Sequence, residues 1–286
     1  MHLKKRYFLF LLPVLLFAMC KSELMTFRRS DARIARYLEK RGQEAPRFFT
    51  IEKDGRSIHY TQVGDTTKPL VLLVHGAPGS ASAFLTFLAD TQLTRFAQVI
   101  AVDRPGNGFS DFGRSEPSLK LQAAALAPIL QRHRSSKAIV MGHSYGGPVV
   151  ARLAMDYPDL VDGVFIMAGS IDPELEPREW WRKYFDSPWI RWILPTSMVV
   201  ANQEIHPLYS ELKAMLPGWA SITCPVTVVQ GTKDTLVPAG NADFARRMAV
   251  NSSRLDIRMI EGGSHFILWS KQRYMVEVLR EMTALP

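Results

Sequence analysis

Short apolar runs recur along the chain at a spacing that selects an alternating strand–helix fold. Leu70–Val74 is apolar without interruption, the pattern of a strand buried on both faces. Runs of the same kind follow at 99–102, 138–141, 164–167 and 226–229, with Leu255–Ile260 the last. Between them, residues 81–95, 118–133, 146–157, 239–249 and 267–282 read as helices. Ahead of them, residues 48–53 and Arg56–Val63 flank Asp54-Gly55, a strong hairpin signal. This alternation predicts an α/β protein with a mostly parallel, doubly wound sheet opened by an antiparallel hairpin. In such sheets reactive side chains belong at the carboxyl ends of the strands.

Two stretches depart from the alternation. Residues 172–222 hold six prolines and five of the six tryptophans: Trp180, Trp181, Trp189, Trp192 and Trp219. That shift predicts a helical cap inserted over the catalytic edge, dividing the core into 47–171 and 223–286. At the other end, Lys4, Lys5 and Arg6 precede an apolar run from Tyr7 to Met19 broken only by Pro13, the pattern of a targeting segment over residues 1–20. Such a run makes a helix of about 20 Å, short of the roughly 30 Å hydrocarbon core of a bilayer. Leu16-Phe17-Ala18-Met19-Cys20 resembles the lipobox of bacterial lipoproteins, whose cysteine takes a diacylglycerol, although Met19 stands where that family has a small residue. The resemblance implies export and attachment to a membrane of the cell envelope through lipid on Cys20. An uncleaved N-terminal anchor is the alternative. Residues 21–46 are basic and helix-prone, with Phe27, Ile34 and Leu38 at helical spacing. They read either as a tether on anionic headgroups or as a short helix packed on the domain's flank.

Composition narrows the classes. With 286 residues, 47% of them hydrophobic, the chain can bury a large core, and 22% charge excludes a disordered chain. The net charge of +8 includes Lys4, Lys5 and Arg6, and no aromatic-basic module accompanies it, so no nucleic-acid partner is expected. Cys20 and Cys224 provide no disulfide framework; Cys224 reads as a small core residue. Neither metal-ligand spacing nor a phosphate-cradling loop occurs, and no cofactor is expected.

The chemistry sits where strands end. The run at 138–141 leads into Gly142-His143-Ser144-Tyr145-Gly146 and then, through Gly147 and Pro148, into a helix. This G-x-S-x-G elbow is a sharp turn that pushes one hydroxyl out of the top of a sheet. Four further strand ends carry His75-Gly76-Ala77-Pro78-Gly79-Ser80, Asp103-Arg104-Pro105-Gly106, Gly231-Thr232-Lys233-Asp234 and Gly262-Gly263-Ser264-His265-Phe266.

In this order, across residues 47–286, the motifs resemble the α/β-hydrolase superfamily. They look most like its branch with HG-x-P loops, which includes serine esterases, C–C bond hydrolases, cofactor-free haloperoxidases and proline iminopeptidases. The resemblance implies Ser144 as nucleophile, His265 as its base, and the backbone N–H groups of Ala77 and Tyr145 as the oxyanion hole. A base needs a carboxylate to fix its tautomer. Asp234 is the first candidate and Asp172 the second, while Glu261 is too close along the chain to His265. His75 reads as a brace for its own loop and Asp103-Arg104-Pro105-Gly106 as a scaffold turn. His59, His133 and His206 are expected in loops or surface helices, and His143 is expected to point away from the site.

The leading expectation is a serine hydrolase that cleaves a carboxylic ester of a small apolar or aromatic substrate through an acyl-enzyme on Ser144. Serine at the elbow argues against the aspartate nucleophile of dehalogenases and epoxide hydrolases. The cap tryptophans either line the substrate site or form the cap's own core. Proline iminopeptidase-like or C–C bond hydrolase chemistry on the same triad is the alternative, with Glu174, Glu176 and Glu179 available to hold a free amino group. A non-catalytic binding protein is the remote one.

Overall fold

The computed structural model describes residues 23–285; the expected targeting segment, with Cys20, lies outside the described residues. Eight strands form one sheet: β1 (Arg47–Lys53), β2 (Arg56–Val63), β3 (Leu70–Val74), β4 (Gln98–Val102), β5 (Ala138–His143), β6 (Gly163–Met167), β7 (Val226–Gly231) and β8 (Leu255–Ile260), in the order β1-β2-β4-β3-β5-β6-β7-β8. β1 pairs with β2, and β2 with β4, antiparallel; every other pairing is parallel. The hairpin turns at Asp54 and Gly55, both in the left-handed region at φ +50° and +69°.

Alternation along each strand builds a core on both faces. Leu70, Leu72 and Val74 pack with the helices Leu119–His133 and Gly146–Asp156. Val71 and Leu73 face the opposite way, against Leu85–Leu88 and Gln272–Ala284. Both sets are fully buried, which is why these strands lack polar positions. The stretch 81–95 differs from the single helix expected. It divides into Ala81–Phe84, Leu85–Leu88 and Thr91–Thr94, because the Asp90 carboxylate accepts from the Gln92 and Leu93 amides and starts a new turn. The last helical stretch likewise divides, into Ile267–Ser270 and Gln272–Ala284.

Residues 172–222, between β6 and β7, contain no strand and are helical, with Thr196–Ile205 and Leu208–Met215 the longest pieces. The helix Asp31–Glu39 buries Ile34 and Leu38 in the core cluster on one face of the sheet, the flank-packed arrangement. The chain crosses from β3 to β4 on one side and returns to β5 on the other. The ends of β3 and β5 therefore sit at a topological switch point, where open α/β sheets bind ligands.

Candidate active site

The elbow follows from what its residues exclude. A Cβ at Gly142 would lie 2.1 Å from the Gly146 carbonyl oxygen, and one at Gly146 would lie 2.2 Å from that of Val74. Only with both positions bare can helix Gly146–Asp156 start so close to β5 and β3. Ser144 then turns through φ +55°, a region that costs a side-chain-bearing residue on the order of 1–3 kcal/mol. Its amide donates to the Met167 carbonyl on β6 (3.1 Å), and its carbonyl accepts from Gly147 (2.9 Å), so the strained residue is held from both sides.

His265 and Asp234 meet. The imidazole Nδ1–H donates to Asp234 Oδ2 at 2.8 Å, leaving Nε2 as the free acceptor. Asp234 also accepts from the amides of Val237 (2.8 Å) and Leu236 (2.9 Å) and from Gln230 Nε2 (3.2 Å). Burial alone would push this carboxyl up; the His265 bond and the two amides outweigh burial and hold it below the usual carboxylate range. Asp172 is committed elsewhere: it caps a turn through the Glu174 amide (2.9 Å) and pairs with Arg247 (3.2 Å). Glu261 is exposed. Among the described residues no hydrogen bond joins Ser144 Oγ to His265.

His143 does not point away from the site as expected. Its Nε2–H donates to the His265 carbonyl (3.2 Å), and the two rings lie 4.9 Å apart. Burial, then the neighbouring His265, lowers its pKa to about 4, so it stays neutral and adds no charge beside the base. His59 is a second departure. It lies in β2, buried, bonded to Asp103 (3.1 Å) and within 3.3 Å of Asp31.

The His75–Ser80 loop runs beside the serine. A Cβ at Gly76 would come within 2.8 Å of Ser144 Cβ. His75 braces this loop: Nδ1–H donates to Gly76 O (2.7 Å), and Nε2 accepts from the Arg104 amide (3.1 Å). Burial and then Arg104 hold His75 well below its ordinary pKa, which keeps the neutral tautomer those bonds require. Among the described residues no backbone carbonyl accepts from the amide of Ala77 or Tyr145.

A buried network absent from the sequence reading lies beneath this loop. Arg104 and Glu204 are both 0% exposed. Arg104 donates from Nη1 to Glu204 Oε1 (2.8 Å) and Gln122 (2.8 Å), and from Nη2 to Glu204 Oε2 (2.9 Å) and Gly76 O (3.0 Å); its Nε donates to His75 O (2.9 Å). All five guanidinium N–H groups are used. Asn107 Nδ2 donates to Glu204 as well (2.9 Å), and the guanidinium lies 4.6 Å from the Tyr145 ring. The expected scaffold turn thus reaches the residues around both expected oxyanion donors, and Glu204 brings helix Thr196–Ile205 into the arrangement. The two partners stand a hundred positions apart, and nothing local to Glu204 marks it.

The cap tryptophans fit neither expectation. Trp219 alone is buried, edge-on to Phe244 in the core (5.4 Å between ring centres), whereas Trp180, Trp189 and Trp192 stand in solvent. Glu174 pairs with Arg178 and Lys213, Glu179 with Arg182, and Glu176 accepts from Ser170.

A family model described as the alpha/beta hydrolase fold matches residues 69–189. An uncharacterized hydrolase of Saccharomyces cerevisiae is 26% identical over 201 residues, covering 66% of this chain and 68% of its own. Epoxide hydrolase 4 of Mus musculus is 32% identical over 119 residues, 40% of this chain and 32% of the mouse protein. Protein ABHD8 of Homo sapiens is matched over 51% of its length. Among solved structures, a putative aryl esterase from Burkholderia cenocepacia superposes with a TM-score of 0.66 at 18% identity, covering 84% of this chain and 100% of that one. A membrane phospholipase A described as a bacterial virulence factor gives 0.65 at 19% identity, covering 97% of each. At such identities the structural likeness speaks for the fold alone. With the sheet order and the family match together, the chain has the α/β-hydrolase fold.

Proposed function

We infer that the protein is a serine hydrolase acting on a carboxylic ester of a small, apolar or aromatic substrate. The observation that carries this is a serine held at φ +55° on the carboxyl end of β5, with a histidine already oriented by a buried carboxylate on neighbouring loops. In the proposed reaction His265 Nε2 takes the proton of Ser144 Oγ, and Oγ attacks the ester carbonyl. The resulting oxyanion is received by the amides of Ala77 and Tyr145. The C–O bond to the leaving alcohol breaks as the imidazolium returns its proton to that oxygen. Water, deprotonated by the same nitrogen, then releases the acid from Ser144. The Ser144–His265 bond closes when substrate is bound, as catalytic hydrogen bonds commonly do. Lipid attachment at Cys20 belongs to the same proposal, and mass spectrometry of the mature protein tests it.

Ser144→Ala is expected to abolish turnover of short acyl esters and labelling by a fluorophosphonate. An unlabelled wild-type protein with no esterase activity overturns the reading. Asp234→Asn is expected to lower kcat by about 10⁴, the scale seen when a triad histidine is left in the wrong tautomer, while Asp172→Asn stays within a few-fold. The reverse ranking would move the acid to Asp172. An iminopeptidase reading has less support, since Glu174, Glu176 and Glu179 all have partners within the chain.

A further inference from the structure

The cap carries an aromatic surface that the proposed chemistry leaves unexplained. Trp189 and Trp192 are 83% and 76% exposed, and they lie three positions apart, on one side of helix Pro188–Ile193. Trp180 and Tyr184, packed edge-on at 6.0 Å, extend the surface on the adjoining turn Trp180–Asp186. Each exposed indole leaves on the order of 200 Å² of mostly apolar area in water, and a soluble surface rarely gathers several of them. Lys183 and Arg191 stand exposed among these rings and form an ion pair with no carboxylate among the described residues. Of the acidic residues nearby, Glu174 is engaged with Arg178 and Lys213 and Glu179 with Arg182, while Asp186, at the end of the same turn, keeps its Oδ1 buried away from solvent. Indole and phenol rings interspersed with exposed cations, Lys183 lying 5.1 Å from the centre of the Tyr184 ring, match the interfacial layer of a phospholipid bilayer, where the rings sit at headgroup depth and the cations meet phosphate.

The path of the chain points the same way. Residues 25–29 enter the fold between the cap and the active-site loops. Ser197 in the cap donates to the Met25 carbonyl, Ser80 Oγ donates to Phe27 O (2.5 Å), and Arg28 donates to Gly108 O (3.1 Å). Ser80 and Gly108 follow β3 and β4, on the sheet edge that carries Ser144. Residues 25–28 are therefore fixed at that edge and against helix Thr196–Ile205, which follows the helix that carries Trp189 and Trp192.

We propose that helix Pro188–Ile193 and the turn Trp180–Asp186 dock on a phospholipid bilayer, so that the Ser144 edge of the sheet faces the lipid. The surface binds whether or not Ser144 is a nucleophile. The test uses the full chain with vesicles of phosphatidylcholine brominated on its acyl chains, with and without phosphatidylglycerol, and reads quenching of tryptophan fluorescence. Wild type is expected to be quenched, more so with the anionic lipid. Trp189→Phe with Trp192→Phe is expected to lose at least half of that quenching while turning over a water-soluble ester within about twofold of wild type. Equal quenching in the two proteins, or none in either, overturns the proposal. So does a dimer, seen by light scattering without lipid, that the double variant dissolves: the surface then belongs to a second copy of the chain.

Discussion

Glu204→Ala tests whether the cap holds the active-site loop in place. The substitution removes two of the acceptors around Arg104 and one of the acceptors of Asn107, and leaves a guanidinium buried at 0% exposure without its counter-charge. Breaking a buried pair from one side costs on the order of 3–5 kcal/mol, a large part of a typical domain's stability. The catalytic effect has a separate origin. Arg104 also grips the carbonyls of His75 and Gly76, which precede the Ala77 amide, so a shift of the guanidinium moves an expected oxyanion donor. Loss of one such donor costs about 10²–10³ in kcat, and a partial shift is expected to cost at least tenfold. Urea unfolding measures the first quantity and ester turnover below the transition measures the second. Replacing the pair together, Arg104→Met with Glu204→Leu, separates the two: stability is expected to return to within about 2 kcal/mol of wild type, while kcat stays low because nothing holds the two carbonyls. A double variant that regains both, or a Glu204→Ala protein unchanged in both, refutes this account.

Acid stability and the elbow glycines give two further tests. His143 titrates at about 4 in the folded protein against 6.5 for the free side chain, so the unfolded chain binds more protons between those values and stability falls as pH drops through them. The gap is on the order of 3 kcal/mol. His75 acts in the same direction, and Asp234, held low, removes stability only at more acidic pH. Urea midpoints between pH 7 and 4.5 should fall steeply for wild type and less steeply for His143→Gln; equal slopes would contradict the assignment. Gly142→Ala, whose Cβ would lie 2.1 Å from Gly146 O, is expected to prevent folding. Gly42→Ala, at φ +71° with open space around it, is expected to cost only about 1 kcal/mol. Comparable Tm values for the two variants would sink the packing argument.

The sequence made the fold legible where one physical constraint acted alone. A strand buried on both faces must be apolar throughout, so Leu70–Val74 and its counterparts stood out. An elbow needs bare neighbours, so Gly142 and Gly146 framed Ser144. Asp54-Gly55 marked its hairpin because the turn needs two left-handed residues. Legibility failed where distant residues decide the outcome. Glu204 looks like a surface residue of a helix until Arg104 lies beneath it, and His59 reads as a loop or surface histidine until β2 buries it between Asp103 and Asp31. The cap tryptophans misled for a related reason: composition reports that aromatic residues are present but not which way they face.

Glu204 also sets which part of the roof can swing. Drawing its carboxylate out of the core would strand Arg104 without its counter-ion, so helix Thr196–Ile205 stays seated through any opening motion. The outer turn Trp180–Asp186 is tied to that helix, since Asn202 Nδ2 donates to the Arg182 carbonyl (3.1 Å). The long helix is thus the keystone of the roof: held to the core by one carboxylate, it holds the outer turn by one amide.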